Sequence, residues 1–319
     1  MIMFMTYEEL EQIRKKYNEK RAKIRKVFLV PYLLVVFFFL SISLFPEIIA
    51  AIAEREAIFA IIRVAFFQII STLVSTSIFF FVIYLIVSTI KTSDEATDYR
   101  NAYKNYFITA TFKKVFTDLQ YNHAAGMPRV IPGSTGMMRL GDHYSSNDYT
   151  IAKYKGIGFS QADVHIQEEH TDSDGDTTYV TIFRGRYVVF DMHKKFEKKL
   201  MVVGKNFHAY KKDGSFRKIE LESINFNRRF KVYAQDGFEA FYLLDPAVME
   251  RIEKLADLHN DRIMICFFEN KIHIAINNNI DSFEPASPKL PIDEKTEFDK
   301  VINDIKVITN IIDEVKLVK

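Results

Sequence analysis

The sequence predicts an α+β fold: an N-terminal transmembrane helical hairpin, followed by a cytoplasmic domain of mainly antiparallel strands with a few helices. Two observations carry this prediction. Residues 27–46 and 64–90 contain no charged side chain. From residue 148 onward apolar and polar side chains alternate with a period of two, and Gly-, Asp- and Asn-rich turns separate the alternating runs. Such short turns are typical of antiparallel hairpins.

The first 26 residues predict a cytoplasmic amphipathic helix. Thr6 and Glu9 have the spacing of a capping box, in which each side chain binds the other residue's backbone amide. Leu10 and Tyr17 belong to an apolar stripe with helical spacing. We expect this helix to continue into the first apolar run.

Residues 27–90 predict a two-helix transmembrane hairpin. The two apolar runs contain 20 and 27 residues and are separated by 17, while a helix needs about 20 residues to cross a bilayer. The first run is expected to end at Pro46, and it is too long for the apolar core of a signal peptide. Neither run contains an ionisable residue, which favours an anchor over a pore.

Charge asymmetry predicts the orientation. Residues 1–26 contain eight Lys or Arg and four Glu, whereas the loop between the runs contains two Arg and three Glu. By the positive-inside rule both termini are cytoplasmic and the protein lies in the inner (plasma) membrane. The single cysteine, Cys266, agrees with a reducing compartment.

Residues 91–121 predict a stalk helix, and residues 122–290 predict the strand-rich α+β domain. Asp245 followed by Pro246 is typical of a helix start. The predicted strands are 149–154, 156–167, 178–183, 185–192, 200–203, 216–219, 230–234, 240–244, 263–268 and 271–276.

Residues 291–319 predict a C-terminal amphipathic helix. Phe298, Val301, Ile305 and Ile308 are spaced by three or four positions, so they form one apolar stripe. Docking within the chain is favoured, because the heptad register is imperfect. Self-association and recruitment of a partner helix remain the alternatives.

A basic segment is the main candidate for a surface that faces the membrane or a partner. The net charge is +2, and residues 91–319 contain 33 basic and 34 acidic groups, so nucleic-acid binding is not expected. Residues 193–231, however, contain twelve basic and four acidic groups, a polarity that is compatible with contact with anionic lipid headgroups. Solvated edges and turns of a sheet are the favoured interpretation of these residues. The candidate residues are Lys194, Lys195, Lys198, Lys199, Lys211, Lys212, Arg217, Lys218, Arg228 and Arg229.

The order of segments is similar to that of the bacterial membrane proteins grouped as domain of unknown function 3137. The resemblance rests on TIFRGRYVVFDMHKKF, NFNRRFKVYAQDGFEAFYLLDPAVMERIEKL and IMICFFENKIHIAI, and above all on the turn at Phe183-Arg184-Gly185 and the helix start at Leu244-Asp245-Pro246. It implies a two-span, membrane-anchored cytoplasmic domain of bacterial origin. It implies no reaction and transfers no functional residue.

Motifs for catalysis, cofactors or metals were tested individually, and none supports a prediction. The acidic run 172–176 resembles the start of an EF-hand, but Thr177 and Phe183 occupy the positions of the required Gly and Glu. We interpret it as a hairpin tip, with weak cation binding as the alternative. His165 and His170 flank Glu168 and Glu169, but two strand residues five positions apart point to opposite faces. Cys266 has no activating neighbour in the sequence and is interpreted as a buried apolar residue.

The sequence therefore favours a membrane-anchored interaction or regulatory module, and an enzyme is less expected. Its predicted partners are the lipid bilayer, anionic headgroups and a protein partner or second copy of the chain, and no cofactor is predicted. The alternatives are a membrane-proximal enzyme and an accessory subunit of a transport complex.

Overall fold

The computed structural model describes residues 5–54, 58–136, 138–211 and 214–315. It has the predicted α+β fold, with a sheet of antiparallel strands and several helices. The chain divides into two compact units, which we call the helical unit and the strand-rich unit. The helical unit comprises Met1–Tyr103 and Ala286–Ile292, and the strand-rich unit comprises Lys104–Pro285 and Asp293–Lys319.

In the described residues the helical unit contains three helices: α1 (Tyr7–Glu54), α2 (Ile58–Lys91) and α3 (Ser93–Tyr103). The expectation that the first run ends at Pro46 is wrong, because α1 continues to Glu54. Proline removes one hydrogen bond from a helix without ending it when the surroundings keep the segment helical.

The apolar parts of α1 and α2 pack against each other and leave large side chains exposed. The Tyr32 hydroxyl lies 2.8 Å from the Ser77 hydroxyl, and the rings of Tyr32 and Phe80 meet edge to face at 5.5 Å. On the outer surface Phe37 is 72% exposed. By length and composition, both helices are long and apolar enough to cross a membrane.

The first part of α1 is held by polar contacts to the rest of the helical unit. Lys20 forms a 2.7 Å salt bridge with Glu95 of α3. The Arg14 guanidinium donates to the carbonyl of Leu290 at 3.1 Å, within the segment Ala286–Ile292. Leu10 is fully buried, so the predicted amphipathic helix exists, is continuous with the first apolar run, and buries its apolar stripe.

The strand-rich unit opens with a π-helical turn, Lys104–Thr109, and the short helix α4 (Ala110–Val115). The predicted stalk helix is therefore wrong beyond Val115. Phe116 is extended, and Thr117–Asn122 form strand β1, which pairs with β2. Pairing with a strand later in the chain decides the conformation here, and a helical spacing pattern cannot detect that pairing.

All of the strand pairings are antiparallel. The sheet order is β1-β2-β3-β4-β6-β5, and β7 pairs with β4. The remaining strands are β2 (His143–Tyr154), β3 (Ile157–Thr171), β4 (Thr177–Gly204), β5 (Arg217–Ile219), β6 (Phe230–Ala234) and β7 (Ile263–Ile276).

Strand β4 is a single strand of 28 residues, where the sequence predicted three. It pairs with β3 in its first half, with β6 from Leu200 to Gly204, and with β7 from Arg186 to Val203. The predicted break at Gly185 is instead a close approach between strands. Gly185 has φ +153°, and a Cβ there would lie 2.1 Å from the Ile276 carbonyl oxygen.

Five further helices complete this unit: α5 (Val130–Ser134), α6 (Ile224–Arg229), α7 (Gly237–Leu243), α8 (Pro246–Leu258) and α9 (Glu294–Val315). The helix start at Asp245 is confirmed, because its carboxylate accepts from the Val248 amide at 2.8 Å. The predicted strand 240–244 is wrong. The Asp236 carboxylate accepts from the Phe238 amide at 3.0 Å, and this cap starts α7.

The core lies on both faces of the central strands. One cluster includes Phe183, Tyr187, Met201 and Cys266. Helix α9 buries Val301, Ile305, Ile308, Ile311 and Ile312 within the unit. The rings of Phe298 and Phe107 meet edge to face at 4.8 Å. The C-terminal apolar stripe is thus covered inside the chain as far as Ile312, and residues 316–319 lie outside the described residues.

Candidate functional site

The predicted basic residues occupy β4, β5, the segment between them and α6. Lys195, Lys198, Lys211, Arg217 and Arg228 are exposed. Lys218 is also exposed and forms a salt bridge with Glu220. Lys212 lies outside the described residues.

Two members of the set bind groups inside the fold. The Lys199 ammonium donates to the carbonyls of Ser134 and Thr135 at 3.0 and 2.9 Å and lies 4.2 Å from the centre of the Phe268 ring. Arg229 pairs with Asp257 at 2.7 Å and with Asp261 at 2.6 Å. These two cations are largely occupied by contacts that hold neighbouring elements together, so the exposed lysines are the better candidates for an external ligand.

Helix α7 lies beside the basic part of β4, although the sequence analysis did not predict this helix. The Lys194 ammonium is 4.6 Å from the centre of the Tyr242 ring. The Lys198 amide donates to the Glu239 carboxylate at 3.0 Å. The two contacts bring an exposed aromatic helix next to exposed lysines. The sequence signal for α7 was Asp236, an N-cap residue directly ahead of a short aromatic run.

The second candidate is a buried cluster of charges, which sequence reasoning missed. Lys104 of the π-helical turn donates to Asp148 at 2.6 Å and to Glu284 at 2.7 Å, and Asp148 also accepts from the Tyr121 hydroxyl at 2.5 Å. Burial lowers the pKa of Lys104, but the two carboxylates outweigh it and the pKa is raised. Burial raises the pKa of Asp148, against the opposing effect of Lys104.

Asp163 of β3 lies next to this cluster. It is 3% exposed, and its Oδ2 accepts from the Ser282 amide at 3.0 Å. Its Oδ1 has no hydrogen-bond partner among the described residues and lies 3.8 Å from Arg186 Nε. Burial raises the pKa of Asp163 to about 7, against the opposing effect of Arg186. The carboxyl is therefore poised to change its protonation state near neutral pH.

A cleft of about 180 Å³ opens onto Asp163. Asp163, Asp148 and Asp281 place carboxylate oxygens within 4.8 Å of one another, a spacing that a cation can bridge. Both Asp148 oxygens, however, already accept from Lys104 and Tyr121, so Lys104 itself supplies the cation there. The cleft is lined by Ser145, Ser146, Asn147, Asp163, Val164, His165, Arg184, Ile280 and Asp281.

The acidic residues near the hairpin tip are engaged in other contacts. The Asp172 carboxylate accepts from the amides of Asp174 and Asp176 at 3.0 and 2.9 Å, which shapes the turn between β3 and β4. Glu168 pairs with Arg139 at 2.5 Å, and Glu169 pairs with His143 at 2.9 Å. The structure therefore does not bring His165, Glu168, Glu169 and His170 together around one ion.

Comparison with known proteins identifies a family for the C-terminal part of the chain. Residues 181–317 match the family described as protein of unknown function (DUF3137). The matched residues are less than half of the chain, and we call residues 181–317 the DUF3137 domain after this similarity. The match extends from β4 to the end of α9 and contains the basic segment and α7.

Two other comparisons complete this result. No curated protein matches the chain. Among solved structures, the crystal structure of the mycobacterial trehalose monomycolate transport factor A, TtfA, is similar with 8% sequence identity and a TM-score of 0.36, covering 66% of this chain and 93% of that chain. The family description names no activity, so a function for the DUF3137 domain must be argued from its residues.

Within the DUF3137 domain, two buried titratable groups serve packing. Cys266 of β7 is fully buried, and burial raises the pKa of its thiol to about 12. A thiol that stays protonated is a poor nucleophile, which agrees with its interpretation as an apolar residue. His273 of β7 is 1% exposed, and burial lowers its pKa to about 4. Its Nδ1 lies 3.1 Å from the Tyr187 hydroxyl, and the tautomer of the neutral ring decides which of the two groups donates.

Proposed function

We propose that the chain is a membrane-anchored interaction or regulatory module. Helices α1 and α2 cross the inner membrane, and the strand-rich unit with its DUF3137 domain works at the cytoplasmic face. The observation that carries the proposal is the outer surface of the two helices, where Val27, Leu34, Phe37, Phe79 and Ile90 are between 60% and 72% exposed. A contiguous apolar surface of this extent is unfavourable in water and matches the hydrocarbon core of a bilayer.

The basic N-terminal segment supports the orientation. Lys15, Lys16, Lys23 and Lys26 precede the apolar part of α1, and Lys91 follows the apolar part of α2. Lysine is enriched on the cytoplasmic side of membrane spans. Both ends of the hairpin are therefore assigned to the cytoplasm.

The size of the cleft favours a binding role over small-molecule catalysis. Its volume of about 180 Å³ lies below the ~300–1,000 Å³ of typical ligand pockets. The buried charges beside it hold the fold together, since Lys104, Tyr121 and Asp148 bind one another. The surface of the strand-rich unit is thus the better candidate for function.

Anchoring and sidedness can be tested with the same labelled chains. Glu54→Cys places a thiol at the end of α1, and Lys289→Cys places one at an exposed position of the segment Ala286–Ile292. The native Cys266 is buried with a raised pKa and should not react. In intact cells, a membrane-impermeant maleimide should label Glu54→Cys but should label Lys289→Cys only after permeabilisation.

The chain should also remain with the membrane fraction after alkaline extraction. Release into the soluble fraction would disprove the anchor. Labelling of Lys289→Cys in intact cells would disprove the orientation and leave the anchor standing.

A further inference from the structure

Helix α7 presents its aromatic side chains to the outside. Phe238 is 82% exposed, Phe241 50% and Tyr242 68%, whereas Ala240 and Leu243 are buried against the unit. The three aromatic residues are spaced at i, i+3 and i+4, so they share one face of the helix. An exposed cluster of three large aromatic rings is costly in water and usually marks an interaction surface.

Two lysines of β4 lie beside this face. Lys194 contacts the Tyr242 ring at 4.6 Å. Lys198 is exposed, and its backbone amide donates to Glu239 of α7. Strand β5, which carries Arg217 and Lys218, also packs against α7. The surface therefore combines aromatic rings with neighbouring basic groups.

The acidic groups of α7 accept hydrogen bonds from the backbone. The Asp236 carboxylate caps the helix by accepting from the Phe238 amide, and the Glu239 carboxylate accepts from the Lys198 amide. Of the nearby acids on β4 and after β5, Glu197 is exposed and Glu220 is paired with Lys218. Acidic groups therefore also lie near the helix, and the charged contact with a ring of the exposed face is made by the Lys194 ammonium.

We propose that Phe238, Phe241 and Tyr242, bordered by Lys194 and Lys198, form a surface that binds an anionic lipid bilayer. The inference rests on the proposed function and specifies which face of the strand-rich unit meets the headgroups. The aromatic rings enter the interfacial region of the bilayer, where Tyr keeps its hydroxyl near water, and the ammonium groups lie among the anionic headgroups.

Charge and composition favour a lipid surface over a protein partner. Lysine is depleted from protein–protein interfaces, where aromatic residues and arginine dominate. Aromatic rings bordered by lysine are instead typical of segments that lie on anionic membranes. Anionic headgroups carry the charge that is complementary to the lysines of this surface.

The absence of tryptophan from the chain makes a direct test available. Phe238→Trp introduces a single tryptophan into the full chain, which is then reconstituted in vesicles of anionic or zwitterionic lipid, with and without brominated acyl chains. With anionic lipid, the emission should shift to shorter wavelength and be quenched by the brominated lipid. The quenching should be largely lost with zwitterionic lipid or at 1 M salt, where the Debye length falls to ~3 Å.

Two matched chains separate this inference from the proposed function. Phe38→Trp reports the apolar part of α1, and Tyr179→Trp reports an exposed strand residue beside the acidic hairpin. One outcome would overturn the inference and leave the anchor intact. In that outcome brominated lipid quenches Phe38→Trp, but it quenches Phe238→Trp no more than it quenches Tyr179→Trp. Loss of quenching at Phe38→Trp would count against the anchor itself.

Charge reversal gives the second arm. Lys194→Glu with Lys198→Glu, in the Phe238→Trp chain, should abolish the blue shift while the near-ultraviolet circular dichroism stays unchanged. A blue shift that depends on protein density and is insensitive to brominated lipid would show contact with a second copy of the chain and would also overturn the inference.

Discussion

Lys104 and Asp148 form a 2.6 Å salt bridge in which the side chains are 2% and 0% exposed. Lys104 lies in a π-helical turn and Asp148 lies in β2, so the bridge connects a helix to the sheet within the strand-rich unit. A buried ion pair recovers its desolvation cost only when the remaining hydrogen-bonding groups are also satisfied. Glu284 and Tyr121 provide those additional bonds.

Replacing Lys104 with methionine should therefore leave Asp148 charged, buried and partly unpaired. We expect Lys104→Met to lower the free energy of unfolding by roughly 3–5 kcal/mol. Chemical denaturation of the full chain in detergent, followed by near-ultraviolet circular dichroism, measures this loss. The double variant Lys104→Met with Asp148→Asn should recover part of it, because the unpaired charge is removed.

The matched control is an exposed ion pair. Lys153 pairs with Asp118 at 2.8 Å with both side chains more than half exposed, and Lys153→Met should leave stability almost unchanged. If Lys104→Met and Lys153→Met lower the free energy of unfolding by the same amount, the buried pair contributes no more to stability than the exposed one.

The raised pKa of Asp163 predicts that the free energy of unfolding depends on pH. Its pKa is raised to about 7, against ~3.9 in an unfolded chain. The folded state therefore binds the proton more tightly than the unfolded state. The resulting stabilisation is fully present below about pH 4, is lost as the pH rises through 7, and amounts to roughly 4 kcal/mol.

Asp163→Asn should remove this dependence. The stability of the original chain relative to Asp163→Asn should fall as the pH rises from 4 to 8, which denaturation at several pH values measures. Asp174→Asn, at the exposed hairpin tip, should give a curve parallel to that of the original chain. A constant difference for Asp163→Asn would show that the carboxyl titrates normally.

The fold could be predicted from the sequence where local signals decide the conformation. The cap at Asp245 and the apolar stripe of α9 are local, and both helices were predicted. The run 240–244 (Ala-Phe-Tyr-Leu-Leu) is rich in aromatic and aliphatic residues like a strand, but the Asp236 cap starts a helix there. Most of Thr117–Asn122 was predicted as the end of the stalk helix. The signal that makes it a strand is pairing with β2, which local spacing does not show.

The same distinction between local and long-range signals applies to the candidate sites. The exposed lysines were predicted because basic residues are concentrated in one segment. The buried cluster was missed because Lys104 and Glu284 are 180 positions apart, and no local spacing connects them. The β2–β3 register places Asn147 opposite Asp163, so the pairing of the two strands brings Asp148 close to Asp163.

His273 should produce a pH effect of the opposite sign. Burial lowers its pKa to about 4, against ~6.5 in an unfolded chain. The unfolded state binds the proton more tightly, so the stabilisation is fully present above about pH 6.5 and is lost as the pH falls towards 4. The total is roughly 3 kcal/mol.

His273→Gln keeps a hydrogen-bonding group for the Tyr187 hydroxyl and does not titrate. Between pH 7.5 and 4.5, the original chain should lose stability relative to this variant. His208→Gln serves as the control, because the His208 side chain is exposed. A similar pH profile for the two variants would contradict the assignment of a neutral, buried His273.

Gly185 tests the packing of β4 on β7. Its φ is +153°, and a Cβ would meet the Ile276 carbonyl oxygen at 2.1 Å, a contact that neither strand can avoid without moving. Gly185→Ala should therefore cost roughly 2–4 kcal/mol of unfolding free energy. Gly214→Ala should cost little, because nothing lies within 4 Å of the added Cβ. Amide hydrogen exchange of β7 separates the possible causes: faster exchange between residues 271 and 276 in Gly185→Ala identifies strain between the strands, and equal losses in the two variants would contradict it.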